Sequence, residues 1–179
     1  PADRLELILV DNASRDGSLA LVRRHFPRVR VLRNRTNRGF AAACNQGVRA
    51  ANAPLVALLN NDARVHPEWA RALVDALMEY PGAAAAGARI LDWAGARIDF
   101  AGGLLNFYGH AFQRLYGAPA DADPDLSVRA TLFACGGAMA VRREAFLAAG
   151  GFDEAYFAFF EDVDLGWRLW VLGHAVLYV

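Results

Sequence analysis

Two short apolar runs, each halted by a cluster of Asp and Asn, constrain this chain more than any other feature. Leu5–Val10 is broken only by Glu6 and stops at Asp11-Asn12, and Leu55–Leu59 is apolar throughout and stops at Asn60-Asn61-Asp62. Continuous apolar strands are those buried on both faces, as in parallel sheets covered by helices. The segments between them carry helical spacing. Ser18 can cap a helix with Leu19, Val22 and Phe26 on its inner face, stopped by Pro27. A short strand at Val29–Leu32 and a polar loop at Asn34–Gly39 follow. The helix Phe40–Ala51 then places Phe40, Ala43, Cys44, Gly47 and Val48 on one side. Pro67 opens a third helix with Trp69, Leu73 and Leu77 inward, closed by Pro81-Gly82. The expected fold class is α/β, a mostly parallel central sheet with helices on both faces.

The second half is less regular. Ala83–Ile90 reads as a strand, and Leu91–Asp125 as a glycine-rich excursion over the sheet edge with a short hairpin around Ile98–Phe107. Connections that long in a compact domain usually serve function. Thr131–Val141 reads as a strand and Arg143–Ala149 as a helix. Gly150-Gly151 is a turn, Asp162–Leu172 a final helix ending at Gly173, and His174–Val179 the start of one more strand.

Composition removes several classes of function. At 179 residues and 55% apolar, the chain has enough material for one domain with a sizeable core. Its formal net charge is zero, which gives no field for nucleic acid or an anionic membrane surface. Every Lys-or-Arg position is arginine, a sign of base composition more than of a binding device. Cys44 and Cys135 lie far apart in patterns of buried helix and strand, as core thiols of a reducing compartment do. No apolar run reaches the roughly 18 residues that span a bilayer, and no signal peptide is visible, so a cytoplasmic domain is expected. Zinc, P-loop and dinucleotide readings lose ground because no His/Cys cluster, P-loop or GxGxxG is present.

Three polar clusters carry chemistry. In Phe157-Ala158-Phe159-Phe160-Glu161-Asp162-Val163-Asp164, carboxylates sit at the mouth of an amphipathic helix behind a block of aromatics. Free backbone N–H groups there hold a carboxylate ionised, while aromatic walls desolvate it and push its pKa back up. That balance suits a general base, and Asp162 is the candidate. The plainer reading is an acidic helix start with Asp164 and Arg168 as an i, i+4 ion pair. The second cluster, Asp11 to Ser18, offers a strand-end carboxylate for a base ring N–H and a glycine for phosphate approach; taken by itself, an Asx-turn leading into a capped helix is the plainer reading. In the third, Asn60-Asn61-Asp62, an amide oxygen and a carboxylate could hold a hard cation shared with a diphosphate; a simple turn is the alternative.

Taken together and in this order, the clusters resemble the family 2 inverting glycosyltransferases of GT-A fold, in particular the rhamnosyltransferase-like branch. The segments that carry the likeness are LILVDNASRDGS, NRTNRGFAAACNQG, ALLNNDARV and CGGAMAVRREAFLAAGGFDEAYFAFFEDVDLGWRLWVLGH. The resemblance implies that Asp11, with Asn12 and Ser14, meets the nucleotide of a UDP- or dTDP-sugar, with Asn37, Gly39 and Asn45 nearby. Asp62 stands at the D-x-D position that coordinates Mg2+ or Mn2+. Asn60, Asn61, Gly136, Gly137 and Glu161 lie near the donor or acceptor sugar, and Asp162 is the catalytic base. Residues 1–82 would form the nucleotide-binding half and 83–179 the acceptor and catalytic half of a single domain. The implied reaction is inverting transfer, with rhamnose as first candidate, to a glycan or lipid-linked acceptor hydroxyl in cell-surface polysaccharide assembly. Such an enzyme would be cytoplasmic or peripheral at the inner face of the plasma membrane.

Two departures stand out. The first acid of D-x-D is Asn60 here, and both the family's preceding strand and its later metal-site histidine fall outside the sequence, so a fragment clipped at both ends is expected. The rival reading is a non-catalytic nucleotide-sugar-binding module. A nucleotidyltransferase is disfavoured by the complete lack of lysine.

Overall fold

The computed structural model describes residues 5–125 and 127–179. Strand β1 (Ile8–Asp11), helix α1 (Ser18–His25), strand β2 (Arg30–Arg33) and helix α2 (Phe40–Ala50) come first. Strand β3 (Leu55–Leu59), helix α3 (Trp69–Glu79) and strand β4 (Ala83–Gly87) follow. The excursion holds β5 (Ile90–Leu91), β6 (Ile98–Phe100), β7 (Gly103–Leu105) and β8 (Ala111–Gln113). The chain closes with β9 (Arg129–Thr131), β10 (Ala138–Arg142), α4 (Arg143–Ala148), α5 (Glu161–Val171) and β11 (Ala175–Tyr178).

The α/β class and the layering are as expected, and the strand pairing is mixed where mostly parallel pairing was expected. The central sheet runs β3-β10-β4-β11-β9, and β1 with β2 forms a separate parallel pair. Strand β10 lies antiparallel between β3 and β4, β11 is parallel to β4, and β9 is antiparallel to β11. The cause lies in the segment read as one strand, Thr131–Val141. It is two strands, β9 and β10, that pair at different places in the sheet, joined by the non-strand link Leu132–Gly137.

Alternation along the strands supplies both faces. On one, Leu73, Ala76 and Leu77 of α3 cover Ala86, Ala140 and Leu177. On the other, Met139, Val141 and Val176 meet Val48 of α2, Phe146 of α4, and Leu165 and Leu169 of α5. A third cluster joins Phe100, Phe133 and Tyr178 to Val163, next to the candidate base.

Three further expectations change. Ser18 is the first helical residue of α1 and does not cap it; its N–H donates to the Asp16 carboxylate at 3.0 Å. Helix α1 buries no residue fully, and Phe26 is exposed, because a two-stranded sheet is too narrow a platform to cover it. The hairpin of the excursion is β7–β8, placed later than Ile98–Phe107, with β6 pairing back to β5. No helix among the described residues is long and apolar enough to cross a membrane.

Candidate active site

Asp11 closes β1 and is buried. Its Oδ1 accepts from the Ser14 N–H at 3.0 Å, so the Asx-turn is real, while Oδ2 is buried without a hydrogen-bond partner, 3.5 Å from Arg33 Nε. Hydrogen bonding from Ser14, through side chain and backbone, holds the carboxyl below its ordinary value, with help from Arg33. The result is an ionised acceptor with one free oxygen at a strand end. Beside it lies a hollow lined by Ser14, Arg15, Arg33, Arg35 and Asn37.

Asn12 organises the wall of this hollow. Its amide donates to Asn37 Oδ1 and the Gly39 carbonyl at 2.8 and 3.0 Å, and its oxygen accepts from Asn34 Nδ2 and the Arg38 N–H at 3.1 and 3.0 Å. Asn37 Oδ1 also accepts from the Gly39 N–H at 2.9 Å. Asn12 therefore shapes the loop, with its side-chain amide engaged on both sides. Asn45 is engaged in the same way. It is buried, donating to the Phe152 carbonyl at 2.8 Å and Glu154 Oε1 at 3.2 Å and accepting from the Phe152 N–H at 2.8 Å. It clamps α2 to the segment before α5.

Gly39, at φ +84°, brings this wall to the loop before α5. A Cβ there would lie 2.6 Å from the Phe157 carbonyl oxygen and 2.7 Å from its ring. The Phe157 carbonyl also accepts from the Ala41 N–H at 3.2 Å. Phe157 itself sits at φ 61°, ψ −61°, the centre of a γ-turn closed by Ala158 N–H onto the Tyr156 carbonyl at 2.6 Å. That is the rarer and more strained of the two γ-turns. Phe159 and Phe160 are also at positive φ, 70° and 67°. Left-handed phenylalanines cost on the order of 1–3 kcal/mol each and persist where surrounding contacts impose them. No glycine marked this loop in the sequence, so nothing local announced its geometry.

The next contact leads to the candidate base. Phe40, first residue of α2, would stand 3.2 Å from a Cβ on Gly136. The Gly136 N–H donates to Asp162 Oδ2 at 2.9 Å, and the Val163 N–H donates to Oδ1 at 2.8 Å. On the other side, the Asn60 N–H donates to the Gly137 carbonyl at 2.9 Å, and a Gly137 Cβ would lie 3.0 Å from Asn60 Nδ2. The Gly136-Gly137 turn thus touches the end of β3 and the start of α5 at once, which only residues without side chains allow. Asn60 begins the turn that carries Asn61 and Asp62, closed by Ala63 N–H onto the Asn60 carbonyl at 3.3 Å; all three are exposed.

Asp162 is the second residue of α5 and part-buried. Burial raises its carboxyl above the ordinary value of 3.8 against the pull of the Gly136 and Val163 N–H groups. Phe157, Phe159 and Phe160 are half to largely exposed, and a Cβ on Gly136 would lie 3.6 Å from Asp162 Cβ. Glu161, expected near the sugars, is instead buried, with Oε2 lacking a partner and Oε1 3.4 Å from a Gly136 Cβ. Burial, then the Asp162 charge, pushes its carboxyl up as well. Asp164 bonds Arg168 Nε at 2.9 Å, and Arg168 Nη2 reaches the Gly151 carbonyl at 2.8 Å, so this pair pins α5 to the Gly150-Gly151 turn. Trp167 and Trp170 are exposed on α5; Trp170 Nε1 donates to the Thr131 carbonyl at 3.0 Å. Cys44 and Cys135 are free thiols pushed up by burial to about 12 and about 11, which keeps them unreactive; Cys135 lies in the link before β10, not in a strand.

Among the described residues no set of three His, Cys, Asp or Glu side chains gathers in metal-binding geometry. The Asn60–Asp62 turn nevertheless offers oxygen donors with one exposed carboxylate. That donor set suits a hard divalent cation completed by diphosphate oxygens and does not suit a closed protein cage.

The pattern that defines Glycosyl transferase family 2 matches residues 1–148. An N-acetylglucosaminyl-diphospho-decaprenol L-rhamnosyltransferase of Mycobacterium tuberculosis is 33% identical over 196 residues, covering 98% of this chain and 64% of that protein. The chain therefore spans less than two thirds of that relative. Among solved structures, GalNAc-T7 with UDP, GalNAc and Mn2+ superposes with a TM-score of 0.77 at 19% identity, covering 100% of this chain and 37% of the other. The mannosyltransferase PcManGT of Pyrobaculum calidifontis, in complex with GDP-Man and Mn2+, gives 0.69 at 21% identity, covering 100% and 48%. Both likenesses show the GT-A glycosyltransferase fold. The chain belongs to glycosyl transferase family 2.

Proposed function

We propose that this chain carries the donor site and catalytic base of an inverting glycosyltransferase that uses a UDP- or dTDP-sugar and a divalent cation, Mg2+ or Mn2+. The acceptor is a hydroxyl of a lipid-linked glycan, and the sugar is rhamnose by analogy with the mycobacterial relative named above. The reading places the enzyme in the cytoplasm at the inner face of the plasma membrane. One observation carries it: a desolvated carboxylate at a helix start, Asp162, is tied through Gly136-Gly137 to the turn that bears Asp62.

In this mechanism the free Oδ2 of Asp11 accepts the ring N–H of the pyrimidine, and its lowered pKa keeps it an acceptor. Asp62, with an amide oxygen of Asn60 or Asn61, would hold the cation. When bound, the cation offsets charge on the diphosphate. Asp162 takes the proton of the acceptor hydroxyl as that oxygen forms its bond to the anomeric carbon and the bond to the diphosphate oxygen breaks from the opposite face. The two backbone N–H groups fix the Asp162 carboxylate in orientation, and each oxygen keeps a lone pair for the proton.

Asp162→Asn should leave donor affinity nearly intact and cut turnover by roughly a hundredfold or more, since general-base work is a transition-state contribution. Asp164→Asn should lower thermal stability through Arg168 and change turnover much less. Titration calorimetry with UDP and single-turnover kinetics separate the two. Near-normal turnover in Asp162→Asn, together with its loss in Asp164→Asn, would assign the base to the wrong carboxylate.

A further inference from the structure

Between Ala101 and Ala120 the chain has no carboxylate, although it carries 19 Asp and Glu in all; Arg114 and His110 are the titratable cationic groups of the stretch. Its centre is the β7–β8 hairpin, with Leu104 opposite Phe112 across the ladder, both half-exposed. At the tip, Phe107 is 99% and Tyr108 82% exposed. The tip is nonetheless ordered: Asn106 Oδ1 accepts from the Tyr108 and His110 N–H groups at 3.0 and 2.9 Å, and the Asn106 N–H donates to the His110 carbonyl at 3.0 Å. The root is fixed as well. The Gly103 N–H donates to Thr131 Oγ1 at 2.7 Å, and Ala111 packs in the cluster that includes Cys135 and Val163, the neighbours of Gly136 and Asp162.

We propose that this hairpin is a membrane-contact finger, whose aromatic tip enters the headgroup–acyl boundary of a bilayer and seats the catalytic end of the domain on it. A small ligand needs a concavity, and this surface is convex. A fluid boundary moulds itself around a rigid protrusion, and aromatic rings with a polar edge favour that depth. The lack of carboxylates removes repulsion from anionic headgroups, so the zero net charge of the whole chain is no obstacle to a local insertion. Trp170, bonded to Thr131 beside the root, and the neighbouring Trp167 and Val171 extend the apolar surface along α5. The proposal rests on the lipid-linked acceptor above only for its purpose, since such an acceptor lies at the bilayer surface.

The test is co-sedimentation with phosphatidylcholine vesicles carrying about one quarter phosphatidylglycerol, for the protein and for Phe107→Ser/Tyr108→Ser. Both substitutions are at an exposed tip, and an unchanged melting temperature checks the fold. The protein should sediment with vesicles in the absence of donor or acceptor, and the double variant should partition at least tenfold less, because two buried rings are removed. Absence of vesicle binding by the unaltered protein, or equal binding by the variant, overturns the proposal. So does light scattering that shows a dimer which the variant dissolves, without vesicle binding. UDP titration in parallel keeps the two readings apart: loss of nucleotide binding in both proteins counts against the donor site, and vesicle partitioning alone decides the finger.

Discussion

Glu161 and Asp162 are adjacent carboxylates with both pKa values raised, yet their surroundings divide them. Asp162 has two backbone N–H groups on its oxygens, whereas Glu161 is buried with an oxygen that nothing satisfies. Glu161 is therefore a stability liability whose sign is fixed by linkage. Its folded pKa lies above its ordinary 4.5, so as pH rises the unfolded chain releases the proton first and stability falls from about pH 4.5 upward until the folded group ionises too. Glu161→Gln removes that loss. The variant should match the parent near pH 4 and gain on it as pH rises above about 4.5, by about 1.4 kcal/mol for each pH unit until the folded carboxyl ionises. Urea unfolding at several pH values measures this; a variant that loses ground as pH rises would mean that Glu161 has an ionised partner.

At the scale of elements, the position of Asp162 depends on how α5 docks. Gly166, one turn along the helix, lies against the Leu132–Gly137 link: a Cβ there would come within 2.6 Å of the Leu132 carbonyl oxygen and of Phe133 Cβ, and 2.9 Å of Phe133 Cα. Ala in place of Gly gains about 1 kcal/mol of helix propensity. Overpacking against atoms that include backbone costs about 1–3 kcal/mol and outweighs it. Gly166→Ala should therefore destabilise the domain by about 1–2 kcal/mol and lower turnover more than donor affinity, since α5 must shift away from Gly136. Denaturant midpoints and kcat, measured on one preparation, check both effects. The same link packs against the start of α5. Gly136 and Gly137 let β3 and α5 approach one turn from opposite sides, and the strained Phe157 turn covers Gly39 to bring α2 into the same contact.

For the whole molecule, the proposed donor site is divided between two sheets. Asp11 ends a strand of the β1–β2 pair, and Asp62 follows β3 of the five-stranded sheet. A ligand that spans both should couple them. UDP and Mn2+ are expected to strengthen each other's binding by at least fivefold, by the same factor in either direction. Asp62→Ala should abolish that coupling. Asp11→Ala should instead weaken UDP and dTDP about equally and leave the coupling intact, because it touches only the base. Calorimetric titration of each ligand with and without the other measures the factor, and tight ADP binding without pyrimidine preference would remove Asp11 from the base pocket.

Local pattern alone was enough for the α/β class, the helices, the strand ends that bear Asp11 and Asn60, and Asp162 at the mouth of α5. Each of these follows from apolar period and turn residues within about a dozen positions. Asn45 was beyond such reading. Its amide is satisfied by Phe152, 107 residues away, and a family motif that places it near nucleotide says nothing of that contact. Thr131–Val141 was also beyond it. Phe133 and Ala134 are buried as strand residues would be, but what buries them is packing against other elements in a link that leaves one strand position for another. Burial is what an apolar letter encodes, and it does not say whether a ladder or a helix supplies the cover. Strand order, the direction of β10, the exposed tip at Phe107 and the left-handed turn at Phe157 were decided only when distant segments competed for the same sheet and the same space, since pairing partners and imposed backbone strain are properties of the assembled packing.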